Sequence, residues 1–314
     1  MSIEQSKILV LGGAGFVGES ILRHLVSKLP DQKILVVDRD VNRLNQMSER
    51  FGVETLVGNL EDFHTWRQIV LLGPFSKVFH LAANSDIRSG SLKPTLDFRD
   101  TLLTSLLLAE FLKEIKPNVV LFASSSAIFG TKESSISSQD ELIPRIPISS
   151  YGWSKLASES ALTQACQEVA SDILIVRFPN VVGGSVTHGI LYDFKMKLRN
   201  NPDKLQVLGN GSQTKPYIHV DDLVEVIVHM LEENANRKLL VNIGPKDTLM
   251  VREIVDIVRE ITGLHFDIQY QLSDSGWEGD VVKYSYASSE IYPYGNIRSS
   301  SQAVYDAFYE WWNK

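Results

Sequence analysis

A doubly wound parallel α/β sheet, joined to a smaller, discontinuous C-terminal α/β domain, is the fold that this chain of 314 residues predicts. Two observations carry the expectation. Short, continuously apolar runs alternate with helical stretches through the first half of the chain. Strands apolar on both sides of the pleat belong to sheets that helices cover on both faces. Beyond that region the alternation weakens, and isolated helical and strand patterns follow.

The elements can be read in order. Lys7–Leu11 is a buried strand, followed by glycines and an amphipathic helix to about Lys28. Lys33–Val37 is a second strand, ending at Asp38. Asp40–Phe51 is helical, Val53–Val57 a third strand, Glu61–Leu72 helical and Lys77–Leu81 a fourth strand. A long helix runs from Thr95 to Ile115, where Pro117 stops it. Val119–Ala123 is a fifth strand. A helix from Tyr151 to about Ala170 leads to a sixth strand, Ile173–Arg177. Further on, Val220–Leu231 and Met250–Ile261 have helical period, with Val251, Ile254, Val255, Val258 and Ile261 on one face. Phe266–Leu272 alternates as a strand does. Thr131–Ser138 reads as a polar surface loop. The expected division is residues 1–178, with 212–246 returning to them, against 179–211 and 247–314, with a cleft between.

The net charge of −7 argues against nucleic acid or an anionic membrane as the main partner. No apolar stretch is long enough to span a bilayer. The N-terminal residues enter the first strand without a signal-peptide layout, so the expected location is cytoplasmic. The single cysteine, Cys166, leaves no internal disulfide or Cys-rich metal site, and it reads as core. No histidines have metal-ligand spacing, and no metal is expected.

Gly12-Gly13-Ala14-Gly15-Phe16-Val17-Gly18 links the first strand to the first helix. Glycines there permit a tight turn and close approach of a pyrophosphate, whose charge the helix N-terminus favours. Asp38, at the end of the second strand, is suited to the ribose hydroxyls and would repel a 2′-phosphate, which selects NAD over NADP. Arg39 beside it is a complication, since it offers a phosphate contact.

Tyr151 and Lys155 are four residues apart and project from one helix face. An ammonium beside a phenol favours the phenolate. Bringing a tyrosine from near 10 to near 7 requires about 4 kcal/mol. The spacing alone is common on ordinary helices.

Taken with His80-Leu81-Ala82-Ala83, Ser124–Gly130, Arg177-Phe178-Pro179-Asn180 and His219-Val220-Asp221-Asp222, these motifs occur in the order found in the extended short-chain dehydrogenase/reductase family. The chain resembles its NAD-dependent nucleotide-sugar epimerases over nearly its whole length. The resemblance implies a Rossmann domain and a nucleotide-sugar substrate domain. It implies Ser125, Tyr151 and Lys155 as catalytic residues. It places NAD on Gly12, Gly15, Phe16, Val17, Gly18, Asp38, Arg39, Asn59, Leu60, Leu81, Ala82, Ala83, Phe178, Tyr151 and Lys155. It places substrate on Asn84, Arg88, Ser125, Ser126, Asn180, Gly189 and Lys215. Arg88 is equally open to being an exposed structural arginine. Ser126 also fits a structural role. Thr187–Lys195 would floor the nucleotide.

Family dehydratases carry acids just after the Ser125 position. Here Ser126 and Ala127 stand there, which points away from 4,6-dehydration. The expected activity is 4-epimerisation of a nucleoside-diphosphate hexose through a transient 4-keto sugar. The alternatives are a one-way C4-dehydrogenase or 4-ketoreductase acting on a hexose or heptose, and a catalytically silent NAD-binding regulator. The resemblance also implies a homodimer through the 95–115 and 151–170 helices; a wholly intramolecular core is the rival reading. His219 is expected to be structural and Asp221 to cap the helix that follows.

Overall fold

The structure, a computed structural model, describes residues 6–130, 145–184, 186–233, 239–276, 280–286 and 296–314. The expected Thr131–Ser138 loop lies outside them. β1 (Lys7–Leu11) leads into α1 (Phe16–Lys28), β2 (Ile34–Asp38) into α2 (Val41–Phe51), and β3 (Glu54–Val57) into α3 (Phe63–Leu72). β4 (Phe75–His80) precedes a short α4 (Ile87–Leu92). A continuous helix follows, made of α5 (Thr95–Asp97), a π-helical stretch (Phe98–Leu103) and α6 (Thr104–Ile115). β5 (Val119–Ser125) ends in a tight turn, and α7 (Ser150–Glu168) returns to β6 (Asp172–Phe178).

The remaining elements are β7 (Asn180–Val182), α8 (Ile190–Asn200), β8 (Lys204–Val207), β9 (Thr214–Lys215), β10 (Tyr217–His219), α9 (Val220–Glu233), β11 (Leu239–Asn242), β12 (Leu249–Met250), α10 (Val251–Thr262), β13 (Asp267–Tyr270) and α11 (Ser300–Trp312).

Seven parallel strands form the main sheet in the order β11-β6-β5-β4-β1-β2-β3. The order reverses between β1 and β4, and ligands bind at such a switch point, outside the carboxyl ends of the strands. Alternate residues of each strand face opposite layers. Ile8 and Val10 of β1 join α1, α2 and α9 in one core, while Leu9 and Leu11 join α3, α6 and α7 in the other, which also holds Cys166. Both faces are therefore dry, which is why the strands read as unbroken apolar runs. β11 adds itself beside β6 from late in the chain. A third core, built from α8, β8, α10 and α11, carries the C-terminal lobe. Among the described residues no helix is long and apolar enough to cross a membrane.

Three details differ from the sequence reading. The 95–115 segment is not uniformly α-helical. Thr104 and Ser105 hydroxyls bond back to the carbonyls of Asp100 and Thr101 within the π stretch, giving those carbonyls partners outside the regular ladder. Asp221 does not cap α9. It lies in the first turn, where its backbone N–H donates to His219 Nδ1 at 3.3 Å and its carboxylate pairs with Arg23. The histidine is the cap. Burial lowers its basicity, and a neutral Nδ1 is free to accept. Last, α4, α8 and α11 were not expected. α4 and α11 start at side-chain caps, Asp86 and Ser299.

Candidate active site

The glycine turn closes over the switch point. Gly12 has φ +74, and a Cβ there would lie 2.6 Å from the backbone of Ala82 at the end of β4. A Cβ on Gly18 would lie 2.4 Å from the Gly13 carbonyl, so α1 packs directly on the turn. No side chain caps α1, whose N-cap is Gly15. Its first-turn N–H groups, on Phe16, Val17 and Gly18, form a bare positive end suited to a diphosphate. This cradle fits the dinucleotide that the sequence implies.

Asp38 secures the turn. One carboxylate oxygen accepts from Ala14 N–H at 3.0 Å, the other from Asp40 N–H at 3.1 Å. An ionised carboxylate has about four acceptor positions, so capacity remains for ribose hydroxyls. Arg39 turns away to Asp100, at 3.2 Å, which also accepts from Arg99. The guanidinium expected to complicate cofactor choice is thus paired elsewhere. Asn59 and Leu60 sit just after β3; the Leu60 carbonyl accepts from the Trp66 indole. Leu81, Ala82 and Ala83 continue β4 past the sheet, with Leu81 N–H bonded to Leu11. Phe178 lies opposite Ser125 in the β5–β6 register.

β5 and α7 assemble the candidate reactive group. The Ser125 hydroxyl is hydrogen-bonded to Tyr151 and also accepts from Ala127 N–H at 3.1 Å. Lys155 Nζ lies 5.8 Å from the Tyr151 ring centroid and donates to the Ala123 carbonyl at 2.6 Å. The three residues expected to act together are therefore side by side. Their electrostatics differ from the expectation. Burial pushes the Tyr151 phenol up to about 12; the Ser125 hydrogen bond pulls against this, and the Asp97 carboxylate adds to it. Burial also brings Lys155 down to about 7, with Glu159 opposing. Desolvation thus favours the phenol over the phenolate that the spacing suggested.

The expected substrate residues divide. The Asn84 amide bonds Asp97 at 2.7 Å and the Asp86 carbonyl at 3.1 Å, while its own oxygen accepts from Asp86 N–H, so it orders its loop. Arg88 is exposed on α4. Ser126 is buried, and its hydroxyl meets Tyr284. Tyr284 also bonds the Asn180 backbone, and the buried Asn180 side-chain nitrogen has no partner among the described residues. Gly189, at φ +93, opens α8, another helix with no side-chain cap. Lys215, half-buried, forms a 2.5 Å ion pair with the buried Asp280, so its charge meets a protein carboxylate. Phe129 packs under the Arg177 guanidinium.

Several residues were not foreseen. Asp97, Glu159, Tyr284 and Tyr286 are buried around the reactive group. Of these only Glu159 left a signal, because it repeats the four-residue step from Tyr151 to Lys155.

Residues 8–244 match the model of the NAD dependent epimerase/dehydratase family. The chain belongs to that family. Membership makes it an NAD-dependent enzyme of the epimerase/dehydratase type. A solved UDP-galactose 4-epimerase is 31% identical, with a TM-score of 0.83 over 97% of this chain and 98% of the other. A putative UDP-glucose 4-epimerase of Methanocaldococcus jannaschii is 26% identical over 88% of both chains. The dTDP-4-dehydro-6-deoxyglucose reductase of Escherichia coli is 22% identical over 90% of this chain and 95% of its own. The epimerase/dehydratase family match ends at the end of the main sheet, so the C-terminal lobe lies mostly beyond it.

Proposed function

We propose that this chain is a nucleotide-sugar 4-epimerase, acting on a nucleoside-diphosphate hexose through a transient 4-keto sugar. The observation that carries the reading is the Ser125–Tyr151–Lys155 group beside the glycine cradle, with no acid after Ser125. The names of the two epimerase relatives support it. When bound, NAD supplies a hydride acceptor. Ser125 orients the sugar hydroxyl through its side-chain oxygen. Tyr151 in its phenolate form, the minor one at neutral pH, takes the hydroxyl proton as hydride leaves the same carbon, and returns it when the carbonyl is reduced. Lys155 keeps two further N–H donors beyond the Ala123 bond, enough to reach the nicotinamide ribose. The uncapped ends of α1 and α8 are suited to the two diphosphates.

A second reading is a one-way 4-ketoreductase. A phenol pushed up to about 12 holds its proton and is poised to donate it to a carbonyl. The reductase relative has the same direction of chemistry in its name. Purified protein incubated with UDP-, GDP-, CDP- and dTDP-hexoses separates the two. C4 inversion without net NADH change supports the epimerase; NADH consumed with a 4-keto sugar supports the reductase. No change with any sugar overturns both.

We also propose a homodimer through the 95–115 helix and α7. Phe98, Leu103, Leu106 and Trp153 are exposed on these elements, and a dimer would cover them. A monomer in sedimentation at micromolar concentration would reject it.

A further inference from the structure

The ends of β5 and the successive turns of α7 are joined by three bonds in a row. The Ala123 carbonyl accepts from Lys155, the Ser124 hydroxyl donates to Glu159 at 2.5 Å, and the Ser125 hydroxyl meets Tyr151. Tyr151, Lys155 and Glu159 lie one turn apart on a single helix face. The Glu159 carboxylate is then gripped from the far side by Arg177 of β6. Arg177 Nε donates to one oxygen at 2.8 Å and Nη2 to the other at 2.6 Å. Ser124 and Arg177 are partners in the β5–β6 register, so the two donors reach Glu159 from adjacent strands. Arg177 and Glu159 are 0% and 4% exposed.

We propose that Glu159 is a positioning residue for the reactive pair, acting through Lys155: clamped by Arg177 and Ser124, it sets the seat of α7 on β5 and supplies the counter-charge for the Lys155 ammonium. The inference rests on the reading of Tyr151 and Lys155 as the reactive pair. A buried bidentate pair is an expensive arrangement, because each ion gives up several kcal/mol of solvation. It costs less to keep where its charge has work beside it.

The groups around Lys155 make Glu159 its counter-charge. On α7 these are Tyr151, which is protonated, and Glu159. From β4 comes His80, neutral because burial brings it down to about 3. Its Nε2 bonds the Ser105 hydroxyl at 2.9 Å. From β6 comes Arg177, which shares the Glu159 carboxylate with the lysine. Asp97 faces Tyr151 and not the lysine. Among the described residues Glu159 is the charged group that favours the lysine's charge against burial.

The test is the Lys155 titration, read by nitrogen-15 NMR of lysine-labelled protein, with the resonance assigned by its loss in Lys155→Met. It needs no substrate, so it stays valid if the sugar reading fails. Glu159→Gln should move the midpoint down by at least about one pH unit. Turnover, where a sugar is found, should lose its alkaline limb at correspondingly lower pH. Glu159→Asp should restore most of the shift. Because Glu159→Gln strands a buried guanidinium, the Glu159→Gln/Arg177→Gln double variant is measured beside it, and a smaller shift in the same direction is expected. A folded variant whose titration overlays the parent's overturns the proposal. A double variant that does not fold overturns it too, since the pair is then purely structural.

Discussion

The Lys155 ammonium donates a 2.6 Å hydrogen bond to the Ala123 carbonyl at the end of β5. That bond ties the helix carrying Tyr151 to the strand carrying Ser125, and it buries a cation to 2% exposure. The chain accepts a destabilising charge beside the phenol proposed to move the proton.

Stability should record that charge. The folded lysine titrates near 7 and the unfolded one near 10.5. Between those values the unfolded chain binds more protons, so stability rises with pH. The penalty is fully present below about 7 and disappears by 10.5, with an upper bound of about 5 kcal/mol. Tyr151 acts oppositely: its folded value of about 12 exceeds the ordinary 10, so stability falls again above pH 10. Urea unfolding from pH 6 to 10 should show the rise, and Lys155→Met should flatten it. An unchanged profile in that variant would place the slope elsewhere.

Tyr151→Phe removes the hydroxyl proposed to move the proton and leaves the glycine cradle untouched. NAD affinity by calorimetry should stay within a few-fold, while turnover falls by about 10²–10⁴. Undiminished turnover would sink the mechanism.

Gly12→Ala combines an unfavourable backbone with a clash, since the new methyl would sit 2.6 Å from Ala82. The turn and β4 must separate, which opens the cradle. NAD binding should weaken at least about tenfold, at a stability cost of roughly 1–3 kcal/mol. Wild-type affinity would show that the turn does not form the dinucleotide site.

Lys215→Met leaves the Asp280 carboxylate, 3% exposed, without its cation. The loss should be about 3–5 kcal/mol, and Asp280→Asn in the same chain should recover much of it. A double-mutant cycle by chemical denaturation measures the coupling. Additive effects would mean that the pair does not anchor the C-terminal lobe to β9.

Much of the site could be read in advance because its signals are local. The glycine turn is dictated by backbone geometry between β1 and α1, and Tyr151 and Lys155 by helical period. What could not be read depends on partners from distant elements. Asp97 meets Asn84 and Ser150 across a fold of the chain. Tyr284 reaches Ser126 from the far lobe. Lys215, expected at the substrate, is paired with Asp280 from the far end of the chain. Position alone does not show such pairings, as Asn84, Ser126 and Lys215 illustrate.

By itself the sequence determined the doubly wound sheet, the glycine cradle and the residue types of the reactive group, since apolar runs, turn chemistry and periodicity act over a few residues. Only the tertiary structure decided the charge state of that group. Burial pushes Tyr151 up and Lys155 down by more than their spacing can offset. Desolvation is a property of everything packed around a side chain, and no local pattern carries it.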